Sequence, residues 1–186
     1  MDNQPINELL EPRVASPSDS VSQQPAPAQL SSPLGEKMKA KYKHTNIVAA
    51  DWHRLARFYQ EVFNCIIAPP ERDLRGDWLD KGTGVANAQF TGVHLRLPGY
   101  GEEGPTLEIY QYSQNAPRPP SVANREGIMH LAFEVDDVEK ALDLVLKHGG
   151  KKIGEITSSE VRGVGLLTFV YCSDPEGNII ELQTWK

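Results

Sequence analysis

The stretch HTNIVAAD at residues 44–51 returns in altered form as HLAFEVDD at residues 130–137. Each begins with His, continues as a mostly apolar extended run and closes on Asp ahead of a helical pattern. Aligned without gaps at an offset of 86, His44 overlies His130 and Asp51 overlies Asp137. The helical pattern repeats too: Trp52, Leu55, Ala56 and Tyr59 overlie Val138, Ala141, Leu142 and Val145. The far ends also match, with GPTLEI at 104–109 over GNIIEL at 177–182, which places Glu108 on Glu181 at an offset of 73. A repeat of this kind predicts two copies of one supersecondary unit built around a shared core. The offsets differ by 13 residues, which assigns an insertion of about that size to residues 69–84 of the first copy.

The elements follow from period and punctuation. KHTNIVAA reads as a strand, and Asp51 caps a helix with Trp52, Leu55, Ala56, Tyr59, Val62 and Phe63 on its buried face. CIIA is a short strand, PPERDLRGDWLDKGTG a loop, and NAQFTGVHLRL and TLEIYQY are two strands. After a linker the pattern restarts with the strand IMHLAFEV. Asp136 or Asp137 then caps a helix with Val138, Ala141, Leu142, Val145 and Leu146 inward. KKIGEIT, GLLTFVYC and IIELQTW are three further strands. The predicted fold class is α+β, with tandem βαβββ modules. Residues 1–40 form a Pro/Ser-rich tail and 41–186 the folded domain, with module 1 at about 41–114, a linker at 115–126 and module 2 at about 127–186. The tail holds six Pro, six Ser and no aromatic residue, too little apolar surface to offset the entropy of ordering it.

Composition narrows the functions. A net charge of −6 argues against nucleic acid, whose phosphates need a basic face. No apolar run approaches the ~20 residues of a membrane span, and the N-terminus lacks the basic-then-apolar pattern of a secretory signal. Cys65 and Cys172 have no metal-type spacing and suit a reducing compartment, so the expected location is cytoplasmic.

Alternate residues of a strand share a face. If Leu131, Phe133 and Val135 pack on the helix, His130 points the other way; the same alternation turns His44, Glu108 and Glu181 from their helices. Two imidazoles and two carboxylates at equivalent places form an N₂O₂ donor set for one divalent ion: Zn, Ni, Fe, Mn or Co. His94 and Arg96, on the strand before Glu108, and Tyr110 and Tyr112, two and four residues after it, are candidate substrate-pocket residues.

HTNIVAADWHRLARFYQEVF, TLEIYQY, GIMHLAFEVDDVEKAL and above all the ending DPEGNIIEL resemble the vicinal oxygen chelate superfamily, and its glyoxalase I-like branch most closely. The resemblance covers about residues 42–186. It implies a cupped mixed sheet around a divalent metal held by His44, Glu108, His130 and Glu181, with Glu181 the better catalytic base and Glu108 its partner. It further implies a homodimer, a small oxygenated substrate, and proton transfer, isomerisation or lyase chemistry. Glyoxalase I commonly carries an Arg four residues after its first ligand and an Asn four after its second, both helping to hold glutathione. Here those positions are Val48 and Tyr112. The alternatives within the resemblance are a methylmalonyl-CoA epimerase-like isomerase, an Fe-dependent dioxygenase and a metal-free binding protein of the bleomycin-resistance type.

Overall fold

A computed structural model describes residues 38–186, so the expected tail lies almost wholly outside the described residues. Lys41–Lys186 is one compact unit. β1 (His44–Val48) leads into α1 (Trp52–Phe63). The Asp51 side chain accepts a hydrogen bond from the Arg54 amide, satisfying one of the helix's free N–H groups. Asn64 ends the helix at φ 55°, a left-handed conformation that Asn tolerates better than most residues. In the second module β5 (His130–Glu134) leads into α3 (Val138–Lys147), and the cap is Asp137, which accepts from the Lys140 amide. Val138, Leu142 and Val145 face the core, but Leu146 falls at the margin of that stripe and is 43% exposed, contrary to expectation.

Two mixed sheets result. In the first the order is β1, β4 (Thr106–Tyr112), β3 (Gln89–Arg96), β2 (Ile66–Arg75). In the second it is β5, β9 (Ile179–Trp185), β8 (Gly165–Ser173), β6 (Lys151–Lys152), with β7 (Thr157–Val161) also paired to β8. β1 runs parallel to β4 and β5 parallel to β9, and the other pairings are antiparallel.

The structure corrects two further sequence expectations. The stretch read as a loop from Pro69 is instead the rest of β2 followed by α2 (Asp77–Thr83). β2 is an edge strand, so Pro69 and Pro70 sit at a register shift between Ala68 and Arg72, and pairing resumes beyond them. Leu79 pins α2 to Ala88, Phe90 and Tyr110. KKIGEIT is not one strand: β6 stops at Lys152, because the amides of Ile153 and Gly154 both turn to the Tyr171 carbonyl. Pairing with β8 restarts only at Thr157.

Both modules contribute to one core. Phe63 of α1 stacks on Phe133 of β5 with ring centroids 3.9 Å apart. The buried Tyr59 hydroxyl donates to Asp174 Oδ2. The Glu176 carboxylate accepts from the amides of Ala50 and Asp51 at 2.7 and 2.8 Å, at the entrance to α1. The DPEGN turn thus docks the second module onto the first helix.

Candidate functional site

Helix packing turns one face of each sheet inward and leaves the polar residues on the other. In the first sheet Ile47, Val93, Leu95, Leu107 and Ile109 are buried in the common core. The opposite face carries one row across the strands: Asn46 opposite Glu108, and Glu108 opposite His94. Glu108 is only 7% exposed. Its Oε1 lies 3.2 Å from His44 Nδ1 and 3.2 Å from His94 Nε2, and Asn46 Nδ2 donates to Oε2 at 3.4 Å. His94 Nε2 is also 2.6 Å from the Tyr110 hydroxyl. The His44 side chain is 47% exposed.

In the second sheet Val170, Cys172, Ile180 and Leu182 face the core. His130 Nε2 is 2.9 Å from Glu181 Oε2 on the other face, and Tyr171 stands directly opposite Glu181 in the ladder. The Tyr171 and His130 rings are 5.2 Å apart. His130 Nδ1 is buried with no hydrogen-bond partner among the described residues. A cavity of about 380 Å³ between β1 and β5 has His130, Asn178 and Arg125 in its wall.

The four expected ligands therefore stand as two pairs on two sheets, with His94 added to the first. Among the described residues no three or more His, Cys, Asp or Glu side chains are grouped to hold one ion. Of the candidate pocket residues, Tyr110 lies over Gly92, where a Cβ would run into the Tyr110 ring and the Ile109 carbonyl. Tyr112 packs on Phe90 at 5.0 Å. Arg96 stands opposite Thr106, one row from Glu108.

Electrostatics follow burial. Desolvation lowers the His94 pKa against the pull of Glu108, with Arg72 and His44 lowering it further. Burial and the Glu108 charge push the Tyr110 phenol up to about 12. Burial, then Glu181, raises Tyr171.

Sequence reasoning missed Asn46, Arg72 and Tyr171. Asn46 had a signal, since it follows His44 by two and shares its face. Tyr171 had none, since its place opposite Glu181 depends on the β8–β9 register. Arg72 had none while its strand read as loop.

Two modules of this topology, each showing a His–Glu pair on the face away from its helix, define a duplicated α+β architecture. The profile of the Glyoxalase/Bleomycin resistance protein/Dioxygenase superfamily matches residues 41–182, and the chain belongs to that family. Among solved structures it is similar to a glyoxalase family protein from Bacillus cereus (TM-score 0.63, 16% identity, 83% of this chain and 98% of that one covered). A glyoxalase family protein from Enterococcus faecalis is similar with TM-score 0.50 and 21% identity, over 77% of this chain and 96% of that one. Identities this low speak for the fold alone. No curated protein matches the sequence significantly.

Proposed function

We propose that the chain is a divalent-metal-dependent enzyme of glyoxalase I-like type, catalysing proton transfer beside a carbonyl in a small oxygenated substrate. The observation behind this reading is one His–Glu pair per module, His44 with Glu108 and His130 with Glu181, at equivalent strand positions. One pair offers an ion a single nitrogen and a single carboxylate. Two pairs offer N₂O₂ and enough charge to neutralise a divalent cation, which suits Zn, Ni, Fe, Mn or Co. His130 turns Nε2 toward Glu181, while its Nδ1, across the ring, is buried without a hydrogen-bond partner among the described residues. Among the described residues of a single chain the four side chains are not gathered to hold one ion, so this reading assigns the full set to a homodimer. Each site then takes the His44–Glu108 pair of one chain and the His130–Glu181 pair of the other.

When bound, the ion supplies Lewis-acid stabilisation to the oxyanion that develops on the substrate. Glu108 is nearly buried and held from three sides, as suits a stationary ligand. Glu181 has one close partner among the described residues, His130, and is the group assigned to take the carbon-bound proton and return it at the adjacent carbon. Phe90 and Tyr110, buried with Leu79 of α2, and the partly buried Tyr112 packed against them brace the face that carries Glu108.

Metal analysis of protein purified without chelator tests the reading. One ion per chain is the expected result. Metal-free protein that takes up ligand without turnover would place the chain among the binding members instead, a reading favoured by the way each His and Glu already satisfy one another.

A further inference from the structure

Glu108 is gripped by a residue that none of the duplicated positions supplies. His94 lies on β3, directly opposite Glu108 in the ladder, and its Nε2 faces two oxygens at once: Glu108 Oε1 at 3.2 Å and the Tyr110 hydroxyl at 2.6 Å. An ionised carboxylate only accepts hydrogen bonds, so a lone pair on Nε2 would oppose it. The tautomer consistent with both neighbours carries the hydrogen on Nε2, which bonds to the Tyr110 oxygen and leaves the polar N–H, rather than a lone pair, beside the Glu108 carboxylate. The second module has no counterpart. Tyr171 stands opposite Glu181 in the corresponding ladder position, and His130 is the one close partner of that carboxylate among the described residues. The two halves of the site thus differ: one glutamate is fixed by a side chain that is not itself one of the paired ligands, and the other is not.

We infer that His94 is a positioning residue that holds Glu108 in its ligating orientation before an ion arrives, making the first half-site the preorganised half. The inference rests on the metal-dependent reading above. Tyr110 fixes the His94 ring by its second contact to Nε2, and Gly92 leaves the room in which the Tyr110 ring lies. Partners of this kind around metal ligands set affinity, and removing one typically costs ~10–100-fold.

The test is a titration of apo-protein with Co²⁺, read by its visible absorption, on wild type, His94→Ala and His94→Gln. Thermal unfolding of each apo-protein runs alongside. Gln keeps an N–H donor at nearly the reach of Nε2. The expected result is a ~10–100-fold loss of Co²⁺ affinity in His94→Ala. His94→Gln should recover most of it, with the wild-type absorption spectrum and all three proteins folded. Affinity unchanged in a folded His94→Ala would overturn the inference while leaving the metal reading intact. Equal loss in both variants, with a changed spectrum in both, would overturn it in favour of His94 as a direct ligand. Absence of Co²⁺ binding by wild type would overturn the inference and the metal reading together.

Discussion

The Tyr59 hydroxyl, buried in the centre of α1, donates to Asp174 Oδ2 of the second module at 3.1 Å. Asp174 is itself 1% exposed and accepts further hydrogen bonds from the amides of Glu176 and Asn178 and from the Asn178 side chain. This contact joins the modules through the buried core, beside the Glu176 contacts to the amides of Ala50 and Asp51. Tyr59→Phe keeps the ring contacts but removes one of the two hydrogen bonds to Asp174 Oδ2, leaving the one from the Asn178 side chain. The expected cost is about 1–3 kcal/mol, measurable as a lower urea midpoint with unchanged slope.

Alkaline pH should destabilise the fold earlier than surface chemistry would suggest. Burial pushes the thiols of Cys65 and Cys172 from an ordinary value of 9.0 up to about 12. Between those values the native chain holds protons that the unfolded chain has released, so stability falls as pH rises. The slope is at most about 1.4 kcal/mol per pH unit for each thiol. Tyr110, moved from 10.0 to about 12, adds to it in the upper part of the window. Urea midpoints measured from about pH 8 to about pH 11 check the trend. Both thiols should also resist a thiol reagent until the protein is unfolded.

Much of this was legible in the chain. The duplication fixed two modules, the alternation of apolar residues assigned His44, Glu108, His130 and Glu181 to the faces away from the helices, and Asp51 and Asn64 marked the ends of α1. What stayed hidden was long-range or irregular. The prolines of the 69–84 stretch suggested a loop, since nothing local says that β2 lies at a sheet edge, where Pro69 and Pro70 need no ladder partner. Gly154 gave little warning that two amides would share the Tyr171 carbonyl and end β6. The contact of His94 with Glu108 depends on the β3–β4 register, which the intervening loop does not encode in any simple motif.

Glu181→Gln removes a ligand charge and the assigned base while keeping the side chain's size. Turnover on an identified substrate should be lost even where some metal is retained. His53→Ala, on the outer side of α1 with its ring stacked on Trp52 at 3.7 Å, is the control and should leave activity near wild type. Full activity of the Glu181 variant would remove that residue from the proton transfer.

Glutathione recognition should be poor. Val48 and Tyr112 stand where charged and amide groups would clasp it, and neither gives the charge-assisted hydrogen bonds to a carboxylate that are worth ~1.5–3 kcal/mol each. Metal-loaded protein should therefore turn over the hemithioacetal of methylglyoxal and glutathione weakly in a steady-state assay. A kcat/KM of ~10⁴–10⁸ M⁻¹s⁻¹ would show that other residues supply the clasp.

The central claim is that two His–Glu pairs, one from each module, meet across two chains to hold one ion. Mixing two metal-dead variants tests it most directly. One carries His44→Ala with Glu108→Ala, and the other His130→Ala with Glu181→Ala. Each alone should purify as a folded homodimer without stoichiometric metal. After co-refolding, the heterodimer contains one site with all four residues, and it should regain one tightly bound ion per dimer. Failure of the mixed dimers to bind any ion, or full metal retention by either variant alone, would contradict a site shared between chains.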